Sequence, residues 1–172
     1  MSSPAVTNFM RQQGFPPEPD DACDMHFAGL YFQPRIVFTL VLVAVAFQSA
    51  LLFFLISAVL FWNVVLPSHN PFEAAYNRVI AAPRGRQPLP PAPAPRRFAQ
   101  AVNAAFNLVS GLTLLAGWTT TSRVIQAMLV VAFSLLLFGK FCAGAYVFHV
   151  LRGEAAFANS TLPWARGPRP TA

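Results

Sequence analysis

The fold is decided by residues 36–67, which read IVFTLVLVAVAFQSALLFFLISAVLFWNVVLP and contain no charged side chain. A second uncharged run, VIQAMLVVAFSLLLFG, covers residues 124–139. A hydrophobic stretch of about 18 or more residues is a candidate membrane-spanning helix, because such a surface is unfavourable in water. Together the two runs predict an all-α integral membrane protein.

The composition supports this class. Of the 172 residues, 55% are hydrophobic and only 10% are charged, whereas soluble domains average about 25% charged residues. The net charge of +6 comes mainly from basic residues beside apolar segments, a pattern typical of membrane orientation. We therefore expect the partners to be the lipid bilayer and other membrane subunits or copies of this chain, with no nucleic acid.

The first apolar block is too long for one upright helix. A single helix over residues 36–67 would be about 48 Å long, against a hydrocarbon core of about 30 Å. Two helices fit if the first begins near Tyr31 and the chain turns at Gln48 and Ser49, an adjacent polar pair inside the block. The sequence favours this hairpin over residues 31–67, with one steeply tilted helix as the alternative.

A second hairpin is predicted over residues 98–152. Its first helix runs from about Arg97 to Trp118, the turn covers residues 119–122, and the last helix runs from Arg123 to Leu151. Four transmembrane helices are therefore expected, as two helical hairpins joined by a Pro-rich cytoplasmic loop over residues 68–97. Within that loop, residues 70–80 predict an interfacial helix, and residues 83–95 predict an extended spacer or a PxxP ligand.

The two tails are predicted to be mobile. Residues 1–30 are polar and acidic, with ordering against a partner subunit as the alternative, and residues 153–172 form the C-terminal tail. With four spans, both tails and the central loop share one side, which holds almost all of the Arg residues, and Arg123 marks the other. The positive-inside rule then predicts a multi-pass protein of the bacterial inner membrane with both termini in the cytoplasm.

Two groups of side chains near the end of the last predicted helix are candidates for function or for an interface. Lys140 is the one charge in that helix, and we expect it to snorkel to the headgroups or to pair with a lipid or another subunit. Cys142, Tyr146 and His149 follow at helical spacing and predict a packed stripe. Cys142 and His149 are about 10 Å apart along a helix, so they cannot chelate one ion alone and no metal site is predicted.

A third candidate lies in the preceding helix. Asn103, Asn107 and Ser110 share one face, which favours a helix–helix contact in lipid. A ligand or ion path along this stripe is the alternative.

Catalytic machinery is not evident in the sequence. We find no Ser-His-Asp arrangement, no phosphate-binding Gly loop and no paired carboxylates, and Cys23 and Cys142 form no C-x-x-C motif. The sequence therefore predicts no enzyme and no catalytic residue, and it does not identify a cofactor.

Four segments resemble a bacterial family of small four-helix membrane proteins, domain of unknown function 4395. They are QPRIVF at 33–38, NPFEAAYNRVI at 70–80, PRRFAQAVNAAF at 95–106 and FCAGAYVFHVLRG at 141–153. The family pattern has a second Cys in its F-C-x-G-C element, where this chain has Ala145. Some relatives are associated with thioredoxin-like or rhodanese-like domains, so the resemblance implies thiol or sulfur chemistry. Loss of the second Cys removes an intramolecular dithiol couple.

These observations favour a non-catalytic membrane protein that acts as a structural or accessory subunit of a membrane assembly. The first alternative is a thiol-linked or sulfur-handling membrane protein that uses Cys142. The second is a small oligomeric channel or transporter lined by the polar stripe.

Overall fold

A computed structural model describes residues 3–15, 27–85 and 88–165. Within these ranges every regular element is helical, which confirms the all-α prediction. The α-helices are α1 (Pro4–Gln12), α2 (Phe32–Ala46), α3 (Ala50–Val65), α4 (Pro71–Tyr76), α5 (Ala94–Leu115), α6 (Thr119–Leu137), α7 (Ala143–Leu151) and α8 (Ala155–Ser160).

Helices α2, α3, α5 and α6 form a closed bundle. Helix α2 packs on α3, α3 on α5, α5 on α6, and α6 back on α2. The core between them contains Val41, Phe53, Ala104 and Phe133. The Ser57 hydroxyl donates a hydrogen bond to the Ala104 carbonyl at 2.8 Å, which joins α3 to α5.

Of the described helices, three are long and apolar enough to cross a membrane: Phe27–Ala46, Ala94–Leu115 and Thr119–Leu137. Four such helices were predicted, but α3 is too short to count as one of them. It has 16 residues and is about 24 Å long. Proline sets its end, because Pro67 disfavours the helical conformation at the residue before it. Leu66 accordingly leaves the helical region, with φ −121° and ψ 67°.

The first apolar block divides at the expected polar pair. Gln48 adopts a left-handed conformation with φ 47°, and the Ser49 side chain caps α3 by accepting a hydrogen bond from the Leu52 N–H at 3.4 Å. This cap satisfies one of the free N–H groups at the start of the helix. Residues 36–67 therefore form two helices.

The prediction of one helix from Arg123 to Leu151 is wrong. Helix α6 ends at Leu137 and α7 begins at Ala143, and between them Lys140 has a left-handed φ of 52°. The predicted turn at residues 119–122 is instead the first turn of α6. The chain turns at Gly117, whose φ of 73° suits a residue without a Cβ atom.

Parts of both predicted tails are helical and packed against the rest of the protein. In α1, Val6, Phe9 and Met10 recur at helical spacing and are buried in a core cluster with Tyr31. The C-terminal segment includes α8. The Asn8 amide of α1 donates hydrogen bonds to two carbonyl oxygens after α8, those of Leu162 and Ala165, at 3.0 Å each. Apolar packing and hydrogen bonds together hold α1 against the protein.

The central loop begins with the expected helix. The Asn70 side chain caps α4, accepting from the Phe72 N–H at 3.0 Å, and a π-helical turn (Asn77–Ala81) and a 3₁₀ turn (Ala82–Arg84) follow. Residues 88–93 have no regular structure, as expected for the Pro-rich part.

Candidate functional site

A cavity lined by both apolar and polar side chains lies at one end of the bundle, where α2 and α5 begin and α1, α4 and α7 pack. We call it the Arg96 cavity. Its polar lining residues come from four segments: Gln13, Gln33, Arg96, Gln100, Asn103 and Cys142. Its volume is about 70 Å³, so it is large enough for a small polar group.

Arg96 is the charged residue of this cavity. It lies in the first turn of α5 after Pro93, and only 5% of its surface is exposed. Its nearest anionic partner is Glu73, whose Oε1 lies 3.9 Å from Arg96 Nη2. Among the described residues the guanidinium makes no hydrogen bond, although a buried charge ordinarily requires close partners.

Glu73 completes this loose ion pair from α4. Burial raises the pKa of its carboxyl, while the Arg96 charge and the Asn70 side chain oppose the rise. The pair therefore holds two incompletely solvated charges next to the cavity.

An amide network connects the N-terminal parts of α2, α4 and α5. Gln33 Oε1 accepts hydrogen bonds from Gln100 Nε2 at 3.1 Å and from Asn70 Nδ2 at 3.3 Å. The other end of the Gln100 amide is unsatisfied, because its buried Oε1 has no partner among the described residues. Such an acceptor is costly to leave unpaired.

Cys142 lies directly before α7 and is buried. Its N–H donates to Gln12 Oε1 at 2.8 Å, so α1 covers it. Burial raises the pKa of the thiol, and the Ala145 N–H, the Gln13 side chain and the Arg96 charge only partly oppose the rise. Cys142 is therefore a protonated thiol at neutral pH.

His149 lies two turns after Cys142 on α7. Its Nδ1 is 2.6 Å from Glu154 Oε2, and its Nε2 is 3.2 Å from the Gln12 carbonyl oxygen. The hydrogen bond from His149 is the main reason why the pKa of Glu154 is lowered. Gln12 thus contacts both Cys142 and His149, which the sequence placed on one face.

Tyr146 and Lys140, the other candidates near Cys142, are not part of the contact between Gln12, Cys142 and His149. The Tyr146 hydroxyl donates to Asn159 Oδ1 at 2.9 Å and holds α8. Lys140 lies in the α6–α7 connection, with its Nζ 5.8 Å from the centre of the Phe27 ring. It is therefore not inside a helix, which corrects its predicted setting.

No group of three or more His, Cys, Asp and Glu residues in the described ranges could hold a metal ion, and Cys23 and His26 lie outside those ranges.

The polar stripe of α5 packs against neighbouring helices. Asn107 is fully buried and its Nδ2 donates to the Asn103 carbonyl at 2.8 Å. The Ser110 carbonyl accepts from the Ser122 hydroxyl of α6 at 3.4 Å. Asn103 alone of the three predicted residues also reaches the Arg96 cavity.

Sequence reasoning missed Arg96, Gln100, Gln33 and Glu73 as site residues. A signal was present, because Arg96 and Gln100 precede Asn103 by seven and three residues and so extend the same helical face. All four segments that carry the family resemblance supply residues to the cavity or to the network beside it.

Comparison with known families gives one match for this chain. The family described as "Domain of unknown function (DUF4395)" matches residues 10–152. The chain therefore belongs to that family, as the resemblance implied. No curated protein and no solved structure matches the chain.

Proposed function

For this member of the domain of unknown function 4395 family, we propose the role of a non-catalytic subunit of a membrane assembly in the bacterial inner membrane. The supporting observation is the outer surface of the bundle. Large apolar side chains are exposed on all four of its helices, for example Leu42, Leu55, Leu112 and Val131. An apolar exterior around buried polar groups suits lipid or protein contacts rather than water.

Exposed apolar residues on the short helices favour a protein partner in addition to lipid. Helix α7 has nine residues, too few to span a bilayer, yet Val147, Val150 and Leu151 are exposed on it. A second subunit or another copy of this chain would remove this surface from water.

The basic residues support a cytoplasmic location for the end that carries the Arg96 cavity. Arg35, Arg78, Arg97 and Arg152 lie at or beside this end, and Arg123 lies in the first turn of α6 at the opposite end. The positive-inside rule favours the cytoplasm for the more basic end. Both termini then face the cytoplasm.

Native mass spectrometry after extraction in mild detergent tests the subunit role. We expect a mass that corresponds to several copies or to a complex with another membrane protein. Leu151→Gln should weaken the assembly because it places a polar side chain on the proposed contact, whereas Val79→Gln, at another exposed apolar position, should not. A protein that is monomeric and alone at every concentration would contradict the proposal.

A thiol-linked function at Cys142 is the second candidate. It is supported by the position of Cys142 beside a buried Arg and before the N-terminus of α7, since both features stabilise a thiolate. Ala145, which replaces the second Cys of the family pattern, and the raised pKa of the thiol oppose it.

Replacement of the thiol separates the two candidates. If Cys142 only packs, Cys142→Ala should retain the assembly and the growth phenotype of the wild-type gene. If the thiol is used, Cys142→Ala and Cys142→Ser should both lose function while the melting temperature and the native mass remain unchanged.

A further inference from the structure

The Arg96 cavity adjoins a second, larger space. This space, which we call the lateral groove, lies between α5, α6 and α7 and has a volume of about 340 Å³. Its walls include Val102, Phe106, Leu129, Ala132 and Val147. The groove is therefore almost entirely apolar.

The cavity and the groove share part of their walls. Ala99, Asn103, Phe133, Leu136 and Cys142 line both of them. The two spaces are therefore adjacent: Arg96 lines the cavity, and the apolar groove follows α5 and α6. These two helices are long enough to span a membrane, so a molecule dissolved in the bilayer could reach the groove from the side.

The polar end has groups that lack close hydrogen-bond partners among the described residues. Arg96 makes no hydrogen bond within the described residues and has its carboxylate neighbour at 3.9 Å. Gln100, with 8% of its surface exposed, has an unpartnered Oε1. Arg96 is a cationic donor, which an anionic guest could satisfy, and Gln100 Oε1 is an acceptor.

We propose that the Arg96 cavity and the lateral groove together bind a membrane amphiphile with one long acyl chain and a terminal carboxyl group, that is, a long-chain fatty acid. Carboxylate oxygens match the planar guanidinium of Arg96. The small volume at the polar end, about 70 Å³, suits a carboxyl group better than a glycerol-containing headgroup, and the acyl chain occupies the lateral groove.

Binding of a photoreactive long-chain fatty acid to the full chain in nanodiscs tests the charge at the polar end. Because Arg96 supplies a charge-assisted contact, Arg96→Gln should weaken binding about tenfold or more. Arg35→Gln removes the same charge from an exposed residue of α2 at the same end and should leave binding unchanged. Equal binding by the two variants would overturn the proposal.

A variant in the lateral groove provides an independent test if Arg96→Gln does not fold. Ala132→Phe fills the groove and should abolish labelling, whereas Ala105→Phe, at an exposed position of α5 outside the groove, should not. Unimpaired labelling of the folded Ala132→Phe variant would contradict the proposal.

Competing ligands distinguish the amphiphile from its parts. The unlabelled fatty acid should compete, but its methyl ester should compete at least tenfold more weakly because it lacks the charge. Propionate should not compete because it lacks the chain. Competition by propionate at the same concentration as the fatty acid would show a site for small anions and would overturn the proposal, as would equal competition by a phospholipid such as phosphatidylglycerol.

Discussion

At the scale of single residues, Gly144 sets how closely α7 approaches α5. A Cβ atom at this position would lie 2.7 Å from the Ala99 Cβ and 2.8 Å from the Ala99 Cα. Because the second atom belongs to a helix backbone, rotation of a side chain cannot relieve the clash. Two segments of the family resemblance, at residues 95–106 and 141–153, therefore meet at this contact.

Gly144→Ala should destabilise the protein, because α7 must move away from α5. Overpacking of this kind costs about 1–3 kcal/mol. We expect a lower melting temperature in detergent than for Ala105→Ser, which adds one atom at an exposed position of α5. Equal melting temperatures for the two variants would show that the helices are not in close contact at this point.

Lys140 combines a strained backbone with a favourable side-chain contact. Its φ of 52° costs about 1–2 kcal/mol for a residue with a Cβ atom, while its ammonium lies over the Phe27 ring. Lys140→Gly removes both the strain and the contact, but Lys140→Leu removes only the contact.

Lys140→Gly should therefore melt at a higher temperature than Lys140→Leu, because a cation–π contact contributes only about 0.5–1 kcal/mol at an exposed site. Thermal unfolding of both variants beside the wild type measures the difference. A lower melting temperature for the Gly variant would mean that the left-handed conformation at Lys140 is not strained in the protein.

At the scale of the elements, the short helices outside the bundle are held by specific polar contacts. His149 on α7 contacts both Gln12 at the end of α1 and Glu154 before α8. Loss of the Glu154 contact should loosen both α1 and α8, since Asn8 of α1 also bonds to the segment after α8.

This contact makes a prediction about pH. The pKa of Glu154 is lowered from its ordinary value of 4.5 in the folded protein. A lowered pKa means that the ionised carboxylate stabilises the fold above about pH 4.5 and that this contribution is lost as the pH falls through the folded value. Glu154→Gln should melt below the wild type at neutral pH, and the gap should close under acidic conditions. A gap that stays constant with pH would contradict a stabilising role for the ionised Glu154 carboxylate.

The sequence was sufficient for the elements that hydrophobicity alone determines. The uncharged block 36–67 and its polar interruption at Gln48 and Ser49 correctly located α2 and α3, and Asn70 and Pro71 correctly located α4. It was insufficient where tertiary contacts decide. Apolar residues flank Gly139 and Lys140 on both sides, so the break after α6 was not recognised, and α1 was obscured by the polar residues that follow it.

The same division holds for the candidate site. Cys142 and His149 were identified from their spacing, because residues on one helical face are neighbours whatever the rest of the fold does. Arg96, Gln33 and Glu73 come from three different helices. Their proximity depends on how the bundle closes, which periodicity does not determine.

At the scale of the whole molecule, the closed bundle separates two ends of different character. One end holds the Arg96 cavity, the docked helices α1, α4, α7 and α8, and most of the described basic residues. The other end consists of the short connections at residues 47–49 and 116–118, with exposed Phe47 and Trp118. This asymmetry is the basis for the proposed orientation in the membrane.

The central claim, a bundle that crosses the inner membrane with its Arg96 end in the cytoplasm, is tested most directly by mapping its topology. Single cysteines introduced into a Cys23→Ser, Cys142→Ala background at Gly85, at Gly117 and after Ala172 can be labelled in intact cells with a membrane-impermeant maleimide. Our account predicts labelling at Gly117 only, with the other two positions labelled only after the cells are opened. Labelling at Gly85 or at the C-terminus in intact cells, or protection of Gly117, would contradict it.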